Sequence, residues 1–152
     1  RPRLLFYAGT PNSCLRRFIC ESFADSGDPE ISVVNHALPR SVFVEEMYSS
    51  RFCLVPDGFS AISARLYEVM AHGCVPVIIS EAFHPPYESI VDWRRFAVFV
   101  RPGEVPYVHR ILRDVAADRY PDLHGHLAAV ASIFDIEKNA FWMSTLFAVE
   151  AA

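Results

Sequence analysis

The chain lacks the features that would tie it to nucleic acid, to a lipid surface or to a structural metal. No run of lysine and arginine interrupts its 152 residues, and a formal net charge of -4 leaves no basic footprint for a phosphate backbone or an anionic bilayer. No apolar run approaches the ~20 residues that cross a bilayer, and the N-terminus shows no signal-peptide pattern. The four cysteines, Cys14, Cys20, Cys53 and Cys74, are too few and too irregularly spaced for a disulfide scaffold, and no Cys-x-x-Cys pair points to zinc. Neither a Gly-x-Gly-x-x-Gly fingerprint nor a P-loop is present, so a Rossmann oxidoreductase does not fit. Small molecules and proteins remain as partners.

What is present is ample core material, 52% hydrophobic residues in a length that suits one domain. The chain starts at Arg1 and passes almost at once into an apolar run, which reads as a piece of a longer protein. Cys53 and Cys74 sit in or beside apolar runs and are expected to be small buried thiols. For Cys14 and Cys20 the spacing leaves pairing open.

Punctuation by glycine and proline divides the chain into alternating units. Residues 3–8 form a continuous apolar run ended by Gly9-Thr10-Pro11-Asn12, followed by a helix over 15–23. A second β-branched run covers 31–34, between Pro29 and Pro39, and Ser41 is expected to cap a helix through Met47. The third strand is read at 52–55. In the helix over 61–72, Ile62, Leu66, Val69 and Met70 recur at helical spacing before Gly73, which suits a left-handed cap. Strands at 75–79 and 97–100 follow. Pro106 suits the first turn of a helix reaching Ala117, and further helical patterns cover 123–134 and 139–149.

Strand and helix alternating at this rhythm imply a parallel sheet, and right-handed crossovers favour a doubly wound α/β fold of about five strands in the order 2-1-3-4-5. A single Rossmann-like domain over 1–152 is therefore expected, with the sheet in 1–103 and a helical tail in 104–152. The switch point lies between the first and third strands, where ligands of such sheets bind.

Candidate chemistry gathers on that edge. Gly9 permits close approach of the backbone, the following helix offers free amides, and Arg16 adds a full charge. An ordinary strand-to-helix turn with a solvated arginine is the simpler reading of this segment alone. In the second loop, Asp57-Gly58-Phe59-Ser60 leads into a helix bearing Ser63, Arg65, Glu68 and His72, the last three on one stripe. Arginine there can fork onto phosphate oxygens, and a carboxylate one turn later can accept from two ribose hydroxyls. A surface Arg-Glu pair fits these residues equally well. His124 and His126 would not share a helical face and read as solvated, and His36, His84 and His109, each isolated in sequence, give little ground for a base role. The acidic triplet Asp135-Ile136-Glu137 is expected by chance.

Taken in order and spacing, Phe52-Cys53-Leu54, Pro56, Gly58, Arg65, Glu68, Gly73-Cys74-Val75-Pro76-Val77-Ile78, Pro86-Tyr87 and Asp92-Trp93 resemble the signature of exostosin-like glycosyltransferases. Leu5-Phe6-Tyr7-Ala8-Gly9 with Leu15-Arg16 resembles the first strand and turn of the same family, so the likeness covers roughly residues 3 to 100. The resemblance implies the donor-binding C-terminal half of an inverting GT-B enzyme. By position, Arg65 would hold the diphosphate of a UDP-sugar, Glu68 its ribose, and Gly9 with Arg16 the other side of the phosphates. Gly58, Ser63 and Glu81 complete the implied donor site, and the loop 35–38 would border the uracil.

The catalytic base would come from an N-terminal GT-B domain, and no permanently bound cofactor or metal ligand is assigned. A glycan or polysaccharide acceptor, a homo- or hetero-dimeric partner and a Golgi-lumenal, type II membrane setting are also implied. The chain departs from the family pattern at Pro11-Asn12, where many relatives carry a basic residue, at Glu81 for Asp and at Tyr87 for Phe. Loss of the basic residue leaves open a catalytically silent subunit that stabilises an active partner. Retention of both Arg65 and Glu68 favours the enzyme.

Overall fold

Five apolar runs form five parallel strands of one sheet, in the order β2-β1-β3-β4-β5. The computed structural model describes residues 1–57, 64–82, 84–132 and 134. Gly58, Ser63 and the helix expected over 139–149 lie outside the described residues. The strands are β1 (Arg3–Ala8), β2 (Ile31–Val34), β3 (Ser50–Pro56), β4 (Val75–Ile79) and β5 (Val98–Val100). One row of side chains, Ile31, Leu5, Phe52 and Val75, crosses four strands in register, and Val77 pairs onward with Val98. Phe52, Leu54, Val75, Val77, Ile78 and Ile79 are each no more than 2% exposed. A parallel sheet covered on both faces buries successive residues alike, which explains unbroken apolar runs in place of alternation.

Helices α1 (Cys14–Phe23), α2 (Arg40–Ser49), α3 (described from Ala64 to Ala71), α4 (Val108–Asp118) and α5 (Tyr120–Ala131) connect and cover the strands. Ser13 caps α1, its hydroxyl accepting from the amide of Arg16 at 3.2 Å. The expected cap at Ser41 is corrected. Pro39 takes that place with φ -52° and ψ 144°, its carbonyl accepts from the amide of Phe43, and Ser41 falls inside the first turn. The fixed ring of proline pre-sets the turn without a side-chain acceptor. At the end of α3, Gly73 adopts φ +68°, and the amides of Gly73 and Cys74 bond back to Met70 and Val69. This is the left-handed termination that glycine permits.

Pro106 lies in a 3-10 helix, Pro102–Tyr107, before α4 rather than in α4 itself. The carboxylate of Glu104 accepts from the amide of Arg101, which ties the tighter turn off as a separate unit. α5 begins three residues ahead of Leu123, with a proline in its first turn. Trp93, Phe96 and Phe134 pack as one aromatic cluster at the far side of the sheet, and the Trp93 indole donates to the carbonyl of Pro86 at 2.8 Å.

Cys53 and Cys74 are buried as expected but are not thiols. They form a disulfide with a Cα–Cα separation of 5.8 Å, within the range such bridges need. Register allows it, because Phe52 lies opposite Val75, so that Cys53, one residue after Phe52, and Cys74, one residue before Val75, meet diagonally across neighbouring strands. The bridge closes the segment that carries α3. Cys14 is free and exposed, and Cys20 is free and partly covered.

Candidate functional site

The carboxyl ends of β1 and β3 lie side by side where the connections leave in opposite senses, and a cavity of about 320 Å³ opens there. Its floor is the end of β1, Ala8 and Gly9. Arg65, on the first described turn of α3, reaches across this floor. Its Nη1 donates to the main-chain carbonyl of Ala8, and its guanidinium lies over the rings of Tyr7 at 5.5 Å and Phe43 at 5.4 Å. The aromatic faces offer the cation a partial negative field while shielding it from water.

Gly9 makes this approach possible. A β-carbon at that position would stand 3.1 Å from Arg65 Nη1 and 3.1 Å from the Tyr7 hydroxyl, tighter than a relaxed contact. Burial lowers the pKa of Arg65, with the Tyr7 phenol opposing and the charge of Arg16 adding to the shift. Burial likewise raises the Tyr7 phenol, against the pull of Arg16 and Arg65. Two guanidinium groups thus face one small space and repel each other. A bound anion would relieve that repulsion, and phosphate oxygens match the planar fork of arginine.

Arg16, from the first turn of α1, lines the cavity beside Thr10 and Asn12 and donates to the Asn12 side-chain oxygen at 3.3 Å. Ala37, Leu38 and Phe43 also line the cavity, so part of the loop 35–38 borders the same space. Glu68 lines it one turn beyond Arg65. Gly9, Arg16, Arg65 and Glu68 therefore converge.

His72 does not join them, although it shares their stripe. Its ring contacts the carbonyl of Glu68 at 2.7 Å and packs edge-on to Tyr48. Glu81 is exposed beyond β4 and is not among the residues lining the cavity. His126 contacts Arg95, His124 stacks beside Tyr120, and His109 packs against Phe23. Among the described residues no three His, Cys, Asp or Glu side chains gather as a metal-ligand set. No described helix is long and apolar enough to cross a membrane.

Sequence reasoning missed three participants. Tyr7 stood out only as part of the first apolar run, and Phe43 and Arg40 drew no attention, yet Arg40 Nη1 forms an ion pair with Glu68 Oε1. Their only sequence signal was position near a strand end or helix start, which does not distinguish a packing residue from one facing a ligand.

The Exostosin GT47 domain matches residues 1–115, a span that takes in every described residue lining the cavity. The chain belongs to the exostosin GT47 family. Among its relatives, a probable glycosyltransferase of Arabidopsis thaliana is 30% identical over 141 residues, 92% of this chain and 27% of the relative. A second probable glycosyltransferase of that plant is 34% identical over 124 residues, 82% of this chain and 26% of the relative. A probable glucuronosyltransferase of Oryza sativa subsp. japonica is 34% identical over 103 residues, 68% of this chain and 24% of the relative. The chain spans about a quarter of the length of the curated relatives it matches.

Proposed function

We propose that this chain is the donor-binding domain of an exostosin-type glycosyltransferase, holding a UDP-sugar for glycan or polysaccharide synthesis. The observation that carries the reading is the guanidinium of Arg65 laid over Gly9 at the end of β1, inside a cavity shared with Arg16 and Glu68. In this reading Arg65 and Arg16 bind the two phosphates, Glu68 accepts from the ribose hydroxyls, and Ala37 and Leu38 border the base. Charge develops on the diphosphate as its bond to the anomeric carbon of the sugar breaks and the acceptor oxygen bonds to that carbon, so these arginines also stabilise the transition state.

Transfer proceeds with inversion, and the base that takes the acceptor proton belongs to an N-terminal GT-B domain. The donor is a substrate, and no resident cofactor takes part. The buried Cys53–Cys74 disulfide supports an oxidising, secretory setting, in keeping with the Golgi lumen and a type II membrane protein. A second reading, a silent subunit that stabilises an active partner in a dimer, is favoured by Asn12 lining the cavity where the family resemblance implies a basic residue. Calorimetric titration with uridine diphosphate separates the two. Binding that is lost in Arg65→Ala supports the donor site, and no binding by a folded wild type supports the silent subunit.

A further inference from the structure

Glu68 is held from α2. Its Oε1 pairs with Nη1 of Arg40, the first residue of α2, and the two side chains are 26% and 63% exposed. The same turn of α2 carries Phe43, which lies beneath the Arg65 guanidinium and packs edge-on against Phe6. The wall residues Ala37 and Leu38 lead directly into it. One turn of α2 therefore bears on both donor-facing side chains of α3, Phe43 on Arg65 and Arg40 on Glu68.

A glutamate at a half-open rim samples several rotamers, and ordering it for a ligand costs side-chain entropy. A guanidinium engaging one carboxylate oxygen narrows that freedom beforehand. The second oxygen still accepts hydrogen bonds, since an ionised carboxylate has room for about four. Arg40 itself is not among the residues lining the cavity.

We infer that Arg40 is a positioning residue that sets Glu68 to accept from the ribose and so makes the site select nucleoside diphosphates over plain pyrophosphate. This rests on the assignment of Glu68 to the ribose made above. Arg40 acts through Glu68 and touches no phosphate, so its loss is felt only by ligands that carry the sugar hydroxyls.

The test is calorimetry of the wild type and Arg40→Met with uridine diphosphate, 2′-deoxyuridine diphosphate and inorganic pyrophosphate. A pair this exposed is worth about three- to fivefold in affinity. Arg40→Met should lose that factor toward uridine diphosphate, lose less of it toward the 2′-deoxy ligand, which keeps one of the two hydroxyls, and keep its pyrophosphate affinity. Arg40→Lys should restore part of the loss, because a point charge replaces the fork incompletely. In an Glu68→Ala background, Arg40→Met should change nothing further. Equal losses toward uridine diphosphate and pyrophosphate would overturn the inference by making Arg40 a phosphate contact, as would an unchanged affinity for uridine diphosphate. Absence of nucleotide binding by the wild type would overturn the site assignment as well.

Discussion

Arg65 donates through Nη1 to the main-chain carbonyl of Ala8, fifty-seven positions earlier in the chain, so the charge of one strand-helix unit is pinned to the strand end of another. The contact spans the switch point of the sheet. It fixes a cation where the fold leaves a crevice and makes the neighbouring glycine part of the same device.

Gly9→Ala should therefore damage binding more than folding. The added methyl meets Arg65 Nη1 and the Tyr7 hydroxyl, each at 3.1 Å, and Arg65 is the more movable of the two. Displacement of Arg65 should appear as weaker uridine diphosphate binding in calorimetry with little change in melting temperature. An unchanged affinity would show that Arg65 has room to give way.

The Cys53–Cys74 bridge should be among the larger single contributions to stability. Closing a loop with a sequence separation of 21 is worth roughly 3 kcal/mol in the chain-entropy account. Cys53→Ser with Cys74→Ser should lose about that amount in denaturant unfolding, and nucleotide affinity should fall too, because the closed loop carries Arg65 and Glu68. Alkylation of the folded, unreduced chain followed by mass spectrometry should modify Cys14 readily and leave Cys53 and Cys74 untouched. Modification of both bridge cysteines in the folded state would refute the pairing.

That bridge also marks where sequence reading ends. The strands were legible because parallel burial writes continuous apolar runs, and handedness cut the possible orders to a few, among them the 2-1-3-4-5 order that the sheet adopts. Gly73 was legible because a left-handed helix end needs glycine. The disulfide was not, because nothing in a separation of 21 residues reveals that Phe52 and Val75 share a register. Ser41 misled because a hydroxyl near a helix start is a good acceptor, yet the proline two residues earlier had already set the turn. For the site, Gly9, Arg16, Arg65 and Glu68 could be named from motif spacing, whereas the aromatic seat of Arg65 and the pairing of Arg40 with Glu68 exist only once α2 and α3 face each other.

Asp28 should make the fold sensitive to acid. Its pKa is lowered from 3.8, first by the hydrogen bond from the Glu30 amide at 2.9 Å and then by Arg113. A carboxylate with a depressed folded pKa contributes stability that is present above the unfolded pKa and is lost as pH falls through the folded one. Wild type should thus exceed Asp28→Asn in stability at neutral pH, and the difference should shrink steadily below about pH 4. Urea unfolding of both proteins at several pH values checks this. A difference that grows toward low pH would contradict the assignment.

Glu68→Ala should separate the two halves of a nucleotide. Affinity for uridine diphosphate should fall by about 1–3 kcal/mol, the cost of losing hydrogen bonds to a charged group, while pyrophosphate binding should hold or improve as a negative charge leaves the cavity. Competition titrations with the two ligands report the ratio. A larger loss for pyrophosphate would place Glu68 away from the ribose.

The central claim is that Arg65 is the diphosphate anchor of a donor site, and isothermal calorimetry of uridine diphosphate on the wild type and Arg65→Ala tests it most directly. The account predicts measurable, salt-sensitive binding by the wild type and a loss of about 2–5 kcal/mol in the variant, as expected when a shielded charge contact is removed. Wild-type binding that survives Arg65→Ala unchanged would contradict it.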